Sequence, residues 1–172
     1  MISVMTKTFN LRSLFKTVIC LAFIFGCTTS AVFACSCLPP SKSFLETLPN
    51  ADLVVVGKST SYHGLGASTN IPLAVDVEVQ RVLKGNDASQ KIRVFGDNGA
   101  LCRPYVTKFP LNTIWVFALN LLPVGANGES QYYINNCAET YLPVGAGKVF
   151  GRIKSSQQTS MPLAKFVKSV RR

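Results

Sequence analysis

The stretch Asn50-Ala51-Asp52-Leu53-Val54-Val55-Val56-Gly57-Lys58 contains an uninterrupted apolar run from Leu53 to Val56. A short run rich in β-branched residues is typical of a buried β-strand. Before it, Pro39-Pro40 is followed by residues 41–48, which predict a short helix with Ser41 or Ser43 as its N-cap. The chain therefore enters its first strand at about residue 53.

Downstream of this strand, residues 59–70 are rich in Ser, Thr, Gly and Asn and predict a loop that carries the lone His63. Residues 73–83 alternate between apolar and polar positions, which predicts a half-solvated strand with Asp76 and Glu78 on its polar face. A turn is expected at Lys84-Gly85-Asn86-Asp87. Further strands are predicted over residues 91–96, 114–119 and 131–135.

Five strands in a chain of this size predict an all-β fold, and antiparallel pairing in a small closed barrel suits them better than a sandwich. A hairpin-type turn is expected at residues 125–128 and a polar linker at 155–160. Residues 163–170 predict a short helix whose apolar face holds Leu163, Phe166, Val167 and Val170.

The N-terminus has the pattern of a secretory signal. Basic residues come first, an apolar run from Val18 to Gly26 follows, and the segment ends at Val32-Phe33-Ala34. The apolar run is about half of the ~20 residues that a membrane-spanning helix needs, which favours cleavage after Ala34 over an uncleaved anchor. Cys27 and Cys35 each follow a faint lipoprotein-type cleavage pattern, although the Phe before the small residue argues against lipidation at either position.

Cleavage after Ala34 leaves 138 residues with 15 basic and eight acidic side chains, a net charge of +7. That length fits one domain. A basic surface could attract anionic lipid, polysaccharide or an acidic protein, although the charges are scattered apart from those of the C-terminal tail, and simple solubility explains them. Export makes nucleic acid a poor partner.

Four cysteines remain after cleavage, which in an oxidising compartment predicts two disulfides. Cys35 and Cys37 are too close in sequence to pair without strain, so each is expected to bridge to Cys102 or Cys137. Zinc sites favour cysteine pairs with histidine, and this sequence has one such pair and one histidine. We therefore expect neither a structural metal nor a cofactor.

Catalytic chemistry is not indicated. Ser/His/Asp and Cys/His sites need a histidine beside a nucleophile, and His63 lies in the predicted loop. Asp76 and Glu78 could form an acid/base pair, but the solvated face of a strand is their simpler role. The sequence therefore does not predict an enzyme.

Several motifs resemble the start of the tissue inhibitors of metalloproteinases. These are Cys35-Ser36-Cys37 with Pro39, the stretch 50–58, the segment 77–85 with its Lys-Gly turn, and Tyr133-Ile134-Asn135-Asn136-Cys137. Lone Cys102 and Cys137 fall at about the family's spacing. The resemblance covers roughly residues 35–145 and implies an oligonucleotide/oligosaccharide-binding-type barrel, also called netrin-like, with Cys35 bonded to Cys102 and Cys37 to Cys137.

The resemblance also implies a mechanism. The freed amine and carbonyl of Cys35 would chelate the zinc of a target protease, the only metal that this chain would contact. Ser36 would enter the protease's specificity pocket, and Leu38 and Pro39 would extend the contact. An α-amine has a pKa of about 8, so part of it is neutral and able to coordinate at neutral pH, and catalytic zinc keeps an open position for such ligands.

Some features depart from the family. Residues 44–48, where the family has the first cysteine of a third bridge, contain no cysteine, and residues 148–172 are too short for the family's second subdomain. We therefore divide the chain into a signal peptide (1–34), a netrin-like domain (35–147) and a C-terminal extension with a short amphipathic helix (148–172). This short, two-bridge version resembles a bacterial relative.

Two functions remain open from sequence. The first is a secreted or periplasmic, monomeric inhibitor of a zinc metalloprotease. The second is an exported netrin-like binding or structural module that lacks inhibition. Membrane attachment is expected only with lipidation at Cys35 or Cys27, or with an uncleaved signal.

Overall fold

The computed structural model describes residues 42–66, 70–122, 131–155 and 157–171. In these ranges the chain forms eight β-strands and two short α-helices, α1 (Phe44–Thr47) and α2 (Leu163–Val170), together with two 3₁₀ helices, Leu48–Asn50 and Val106–Lys108. The strands are β1 (Leu53–Leu65), β2 (Pro72–Lys84), β3 (Lys91–Phe95), β4 (Ile114–Leu121), β5 (Gln131–Tyr133), β6 (Tyr141–Gly145), β7 (Lys148–Gly151) and β8 (Thr159–Pro162). No helix in this part of the chain is long and apolar enough to cross a bilayer.

Five of the strands form a closed barrel in the order β1-β2-β3-β5-β4, and pairing of β1 with β4 closes it. The predicted five-stranded barrel is therefore confirmed, and its form is consistent with the oligonucleotide/oligosaccharide-binding type. The expectation of antiparallel pairing throughout is wrong at one position. β3 and β5 run parallel, with Val94 opposite Tyr132.

The run that opens the barrel is buried on both faces. Leu53 and Val55 point into the barrel, whereas Val54 and Val56 point outward into a second apolar core. β4 follows the same rule, with Phe117 inside the barrel and Val116 in the outer core. Strands covered on both faces have continuous rather than alternating apolar sequences, which explains the Leu53–Val56 run.

The outer core is covered by elements from both ends of the described chain. β6 pairs with β4 and continues through β7 to β8, and both helices pack beside these strands. The rings of Phe44 in α1 and Phe166 in α2 meet edge to face with centroids 5.5 Å apart. Helix α2 has the predicted bounds and packs on the barrel through its predicted apolar face.

The region after β5 contains more strand than the sequence indicates. β6, β7 and β8 were not predicted, and β8 begins inside the expected polar linker. The domain boundary placed after residue 147 falls in the turn between β6 and β7. The turn expected at residues 125–128 lies outside the described residues.

The barrel interior is centred on Phe109, which is fully buried. Its ring lies 5.1 Å from each of the rings of Trp115, Phe117 and Tyr141, always edge to face. Its carbonyl accepts a 2.9 Å hydrogen bond from the Tyr62 hydroxyl on β1. Edge-to-face packing of this kind adds to the free energy gained from burial alone.

The predicted loop over residues 59–70 is wrong as far as Leu65, because β1 continues to that residue. The second half of β1 pairs antiparallel with residues 72–77 of β2. The register of this pairing shifts between Ser59 and Ser61. Polar side chains are accommodated here because they bond to the neighbouring strand. The Thr60 hydroxyl, for example, donates to the Asp76 carbonyl at 3.1 Å.

Helix α1 is fixed at both ends. At its start, the Glu46 carboxylate accepts hydrogen bonds from the backbone N–H and the hydroxyl of Ser43, both at 2.7 Å, so that Ser43 is the N-cap. After its last turn, Lys84 Nζ donates to three backbone carbonyls, those of Leu48, Pro49 and Ala51. Lys84 thus joins the end of β2 to the segment that enters β1.

Replacing Lys84 with methionine is expected to lower the free energy of unfolding by about 1–3 kcal/mol, because three carbonyls lose a charged donor while the apolar stem is kept. Urea unfolding followed by tryptophan fluorescence measures the loss. The matched control is Lys108→Met, since Lys108 is exposed and donates a long hydrogen bond to the Tyr141 hydroxyl at 3.4 Å. Equal stability of the two variants would contradict this role.

Candidate functional site

Two predicted site residues lie at one end of the barrel. Because β3 and β5 are parallel neighbours, the segments that follow them leave the barrel at the same end. Cys102 lies in the segment after β3, and Cys137 lies in the segment after β5. Their placement at a common end comes from the sheet topology.

The segment that carries Cys102 is organised by the buried carboxylate of Asp97. Its oxygens accept hydrogen bonds from the backbone N–H groups of Gly99, Leu101 and Arg103, the last at 2.8 Å. Burial raises the pKa of Asp97, but these backbone donors outweigh it and hold the pKa below its usual value. Cys102 itself has φ +52°, in the left-handed region.

Two further contacts fasten this segment to the barrel. The Arg103 guanidinium lies 4.3 Å from the centre of the Tyr133 ring on β5, which is a cation–π contact. Gly96 lies against the Pro104 backbone so closely that a Cβ would approach the Pro104 oxygen to 2.5 Å. The segment from 96 to 103 is therefore held on both sides of Cys102.

Replacing Asp97 with alanine is expected to reduce the free energy of unfolding by about 1–3 kcal/mol, because three backbone N–H groups lose their charged acceptor. Chemical unfolding at neutral pH measures this change. Asn98→Ala serves as the control, since the exposed Asn98 side chain accepts a hydrogen bond from the Ala100 N–H at 3.0 Å in the same segment. A loss no larger than that of the control would argue against the role of Asp97.

Cys137 lies beside the point where the described chain begins. Lys42 forms a parallel bridge with Ala138, and the Glu139 N–H donates to the Lys42 carbonyl at 3.0 Å. The Thr47 hydroxyl reaches the Glu139 carbonyl at 3.3 Å. These bonds attach the segment that leads into α1 to the residues directly after Cys137.

A cavity of about 250 Å³ adjoins this attachment. Its lining includes Lys42, Asn50, Asn120, Asn135 and Cys137. Two of the asparagines also serve the fold, because Asn120 donates to the Asn50 carbonyl at 2.8 Å.

The other predicted site residues lie outside the described residues, namely Cys35, Ser36, Cys37, Leu38 and Pro39. The signal segment, with its Cys27, lies outside them as well. Cys102 and Cys137 are not within disulfide distance of each other, and neither is a free thiol. Within the described ranges, no group of three or more His, Cys, Asp or Glu residues could hold a metal ion.

A second polar site, which we call the Asp76 cluster, lies on the outer face of β1, β2 and β3. It consists of Asp76 with Ser61, His63, Lys91 and Arg93. Asp76 Oδ1 accepts from Arg93 Nε at 2.9 Å, and Oδ2 lies 2.7 Å from His63 Nε2 and also contacts Lys91 Nζ. The expectation of a solvated Asp76 is wrong, because its side chain is only 1% exposed beneath these partners.

The placement of His63 in a loop is likewise corrected, since it lies on β1 opposite Ala74. Ser61 Oγ is 3.2 Å from His63 Nε2, so a serine, a histidine and an aspartate meet. Both contacts, however, use the same ring nitrogen. A catalytic triad needs the two nitrogens to serve different partners, so this arrangement does not build a relay.

The charge state of Asp76 gives it a structural role. Burial raises its pKa, but hydrogen bonds from Arg93 and Lys91 and the charges of Arg93 and His63 outweigh this and lower the pKa to about 2. Glu78 lies opposite Lys91, the same lysine whose Nζ contacts Asp76, but Glu78 is exposed. Asp76 is thus buried and ionised beneath its cations, whereas Glu78 is exposed, so the two carboxylates are not arranged as an acid/base pair.

A pH-dependent loss of stability follows from Asp76. Its folded pKa of about 2 lies below its ordinary value of 3.8, so its contribution is complete above about pH 4 and is lost as the pH falls through about 2. The shift corresponds to roughly 2 kcal/mol. Urea unfolding of the wild type and Asp76→Asn across this range should show a difference that shrinks with falling pH, whereas a constant difference would contradict the assignment.

The comparisons with known proteins leave the site to be interpreted from its own geometry. No protein-family model matches this chain, and no curated protein matches it.

Proposed function

We propose that this chain is an exported inhibitor of zinc metalloendopeptidases. Residues 1–34 act as a cleaved secretory signal, and the mature chain begins at Cys35. The netrin-like form of the barrel and two disulfides, Cys35 with Cys102 and Cys37 with Cys137, belong to the same proposal. The resemblance to the tissue inhibitors of metalloproteinases suggests this function, and the barrel geometry supports it.

The observation that carries the proposal is the common location of Cys102 and Cys137. The parallel β3–β5 pair brings both to one barrel end, where the chain arriving from the N-terminus joins at Lys42. An inhibitor that acts through its first residues needs them anchored to a rigid scaffold, and this end offers two anchor points.

The proposed pairing agrees with the reach of the chain. Cys37 precedes Lys42 by five residues, a stretch that spans at most about 18 Å when fully extended. Lys42 pairs with Ala138, the residue next to Cys137. Cys137 is therefore within reach of Cys37, which agrees with the pairing that the family resemblance implies, Cys37 with Cys137 and Cys35 with Cys102.

The chemistry lies in the N-terminal residue itself. The amine and carbonyl of Cys35 form a bidentate ligand, which would replace the water that a catalytic zinc carries in its open position. Ser36 then enters the specificity pocket, and Leu38 and Pro39 lie along the cleft. Bridges from Cys35 and Cys37 order this segment before binding, which lowers the entropy cost of association.

Exposed apolar side chains near this end suit a protein interface. Leu101 and Tyr105 flank Cys102 and are 47% and 36% exposed. Leu65 is 64% exposed and lies near the tip of the β1–β2 hairpin. Because Ala74 on β2 pairs with Phe95, the last residue of β3, this hairpin tip extends beyond the end of β3 and lies at the same end of the barrel. These residues could contact the protease around its active-site cleft.

The test uses the protein that cells export. Mass spectrometry of the intact chain locates the processed N-terminus, and the same material is titrated against a zinc endopeptidase and a serine endopeptidase. We expect a chain that starts at unmodified Cys35 and that inhibits only the zinc enzyme. Cleavage elsewhere, acylated Cys35, or an unaffected panel of zinc endopeptidases would contradict the proposal.

A further inference from the structure

Side chains of β3 point alternately into and out of the barrel. Ile92 and Val94 belong to the barrel interior, so Lys91, Arg93 and Phe95 point outward. Residues that pair across neighbouring strands project from the same face of a sheet. The registers of β1, β2 and β5 therefore show which side chains share the outer face with these three.

The registers of β2 and β1 extend this face on one side of β3. Asp76 on β2 lies opposite Arg93, and Glu78 lies opposite Lys91. Lys58 on β1 lies opposite Glu78, so that Glu78 stands between two lysines. Direct contacts agree with the registers, because the Arg93 and Lys91 side chains both reach the Asp76 carboxylate.

The register of β5 extends the face on the other side of β3. Tyr133 lies beside Phe95, and the Arg103 guanidinium lies over the Tyr133 ring, 4.3 Å from its centre. His63 on β1 joins the face through its contact with Asp76. We call this surface the open face, and its residues are Lys58, His63, Asp76, Glu78, Lys91, Arg93, Phe95, Arg103 and Tyr133.

The open face carries an excess of positive charge. Four lysine and arginine side chains share it with two carboxylates. Asp76 is only 1% exposed, whereas 57% of the Lys91 side chain is exposed. Glu78 is exposed and is thus the one carboxylate that the face presents to solvent. Because ammonium and guanidinium groups carry only hydrogen-bond donors, the face offers mainly positively charged donors to a ligand.

We propose that the open face binds a linear polysaccharide whose sugar units carry carboxylate or sulfate groups. Neighbouring strands lie about 4.8 Å apart, and alternate residues of one strand lie about 7 Å apart, so the cations are spread as a grid. Successive anionic groups of an extended polymer can therefore meet different cations, whereas a single small anion would meet only one or two. This proposal does not depend on protease inhibition.

The aromatic residues of the face favour a sugar polymer over single-stranded nucleic acid. Proteins that bind such nucleic acid stack its bases on aromatic rings beside a basic groove. On the open face, the Arg103 guanidinium already occupies one side of the Tyr133 ring. The ring therefore positions a cation for an anionic group of the ligand.

Binding is measured with the protein purified from cells that express the full chain. The probes are polygalacturonate, which carries a carboxylate on each unit, dextran sulfate, and uncharged dextran. We expect binding to at least one charged polymer, none to dextran, and at least about tenfold weaker binding when salt rises from about 50 to about 200 mM. Binding of one charged polymer alone identifies the anionic group that is recognised. Binding of neither, or equal binding of dextran, overturns the proposal.

Removing positive charge from the open face should weaken binding. Lys58→Gln with Lys91→Gln is expected to weaken it by roughly tenfold, at about threefold for each exposed ion pair that is lost. The matched control is Lys108→Gln with Lys154→Gln, which removes the same charge at two exposed positions outside the face and should cost less than about twofold. Equal losses for the two pairs would show that net charge alone governs binding and would overturn the proposal.

Glu78→Gln should change binding in the opposite direction. It removes the exposed carboxylate of the open face, so binding to the charged polymer should become about threefold tighter. Loss of folding cannot produce tighter binding, so this variant separates ligand recognition from structural damage. Unchanged or weaker binding would contradict the proposal.

Two other polyanions complete the test at equal concentrations of anionic groups. They are single-stranded oligothymidylate and vesicles of phosphatidylglycerol. We expect both to bind more weakly than the preferred polysaccharide. Tighter binding of either one than of both charged polysaccharides would show that the assignment to a polysaccharide is wrong.

Discussion

Adding one alanine before Cys35 is expected to weaken inhibition of a zinc endopeptidase by roughly a hundredfold or more. The added residue moves the free amine away from the Cys35 carbonyl and converts the Cys35 nitrogen to an amide, which is a poor metal ligand. Changing residues that only support metal ligands already costs about 10–100-fold, so loss of a direct ligand should cost at least as much. Inhibition constants of the two processed forms measure the effect.

Two controls accompany this comparison. The alanine-extended protein should unfold at the same urea concentration as the native form, because the addition leaves every barrel strand, from β1 (Leu53–Leu65) onward, unchanged in sequence. Ser36→Ala keeps the amine in position and should change inhibition far less than the extension. Equal potency of the native and extended forms would show that zinc chelation by Cys35 is not the mechanism.

Replacing Phe109 with alanine is expected to lower the free energy of unfolding by about 3–5 kcal/mol. Phe109 is fully buried, and its ring contacts those of Trp115, Phe117 and Tyr141. No other described ring has three edge-to-face neighbours at 5.1 Å. A cavity at this position would remove contacts from every neighbour at once, which is why the expected cost is high.

Urea unfolding followed by far-ultraviolet circular dichroism measures this loss, because the variant also changes the environment of the only tryptophan. Leu111→Ala is the comparison, since Leu111 is 39% exposed two residues further along the chain. Its expected cost is below about 1 kcal/mol, as is usual for partly exposed positions. A similarly small cost for Phe109→Ala would contradict the central place of Phe109 in the barrel.

The barrel strands could be predicted because their sequences carry strong periodic signals. Val75 and Val77 alternate with polar residues on β2, and the Leu53–Val56 run marks a strand that is buried on both faces. Helix α2 was predicted at its observed bounds because Phe166 and Val167 recur at helical spacing with Leu163 and Val170.

The outer layer was harder to predict. β6, β7 and β8 are only four or five residues long, and Pro143 and Gly145 interrupt the pattern that would identify β6. The continuous apolar character of β1 already required a second covering layer, because Val54 and Val56 need partners outside the barrel. The sequence therefore shows that a second layer is needed, but it does not show that β6, β7, β8 and the two helices form that layer.

The polar clusters depend on contacts between strands, which local patterns do not report. Asp76 was expected in solvent because its strand alternates, but cations from β3 and His63 from β1 cover it. The common location of Cys102 and Cys137 follows from the parallel β3–β5 pair, where antiparallel pairing was expected. Each strand could be predicted singly from its sequence pattern. Both features depend instead on how the strands are arranged next to one another, which the pattern does not show.

The visible absorption spectrum of a cobalt-substituted zinc endopeptidase tests the central claim most directly. Cobalt in the zinc position absorbs according to its ligands, so replacing bound water with the Cys35 amine and carbonyl should change the bands. The account predicts a spectral change that saturates at the same ratio as inhibition and that the alanine-extended protein does not produce. Full inhibition with an unchanged cobalt spectrum would contradict it.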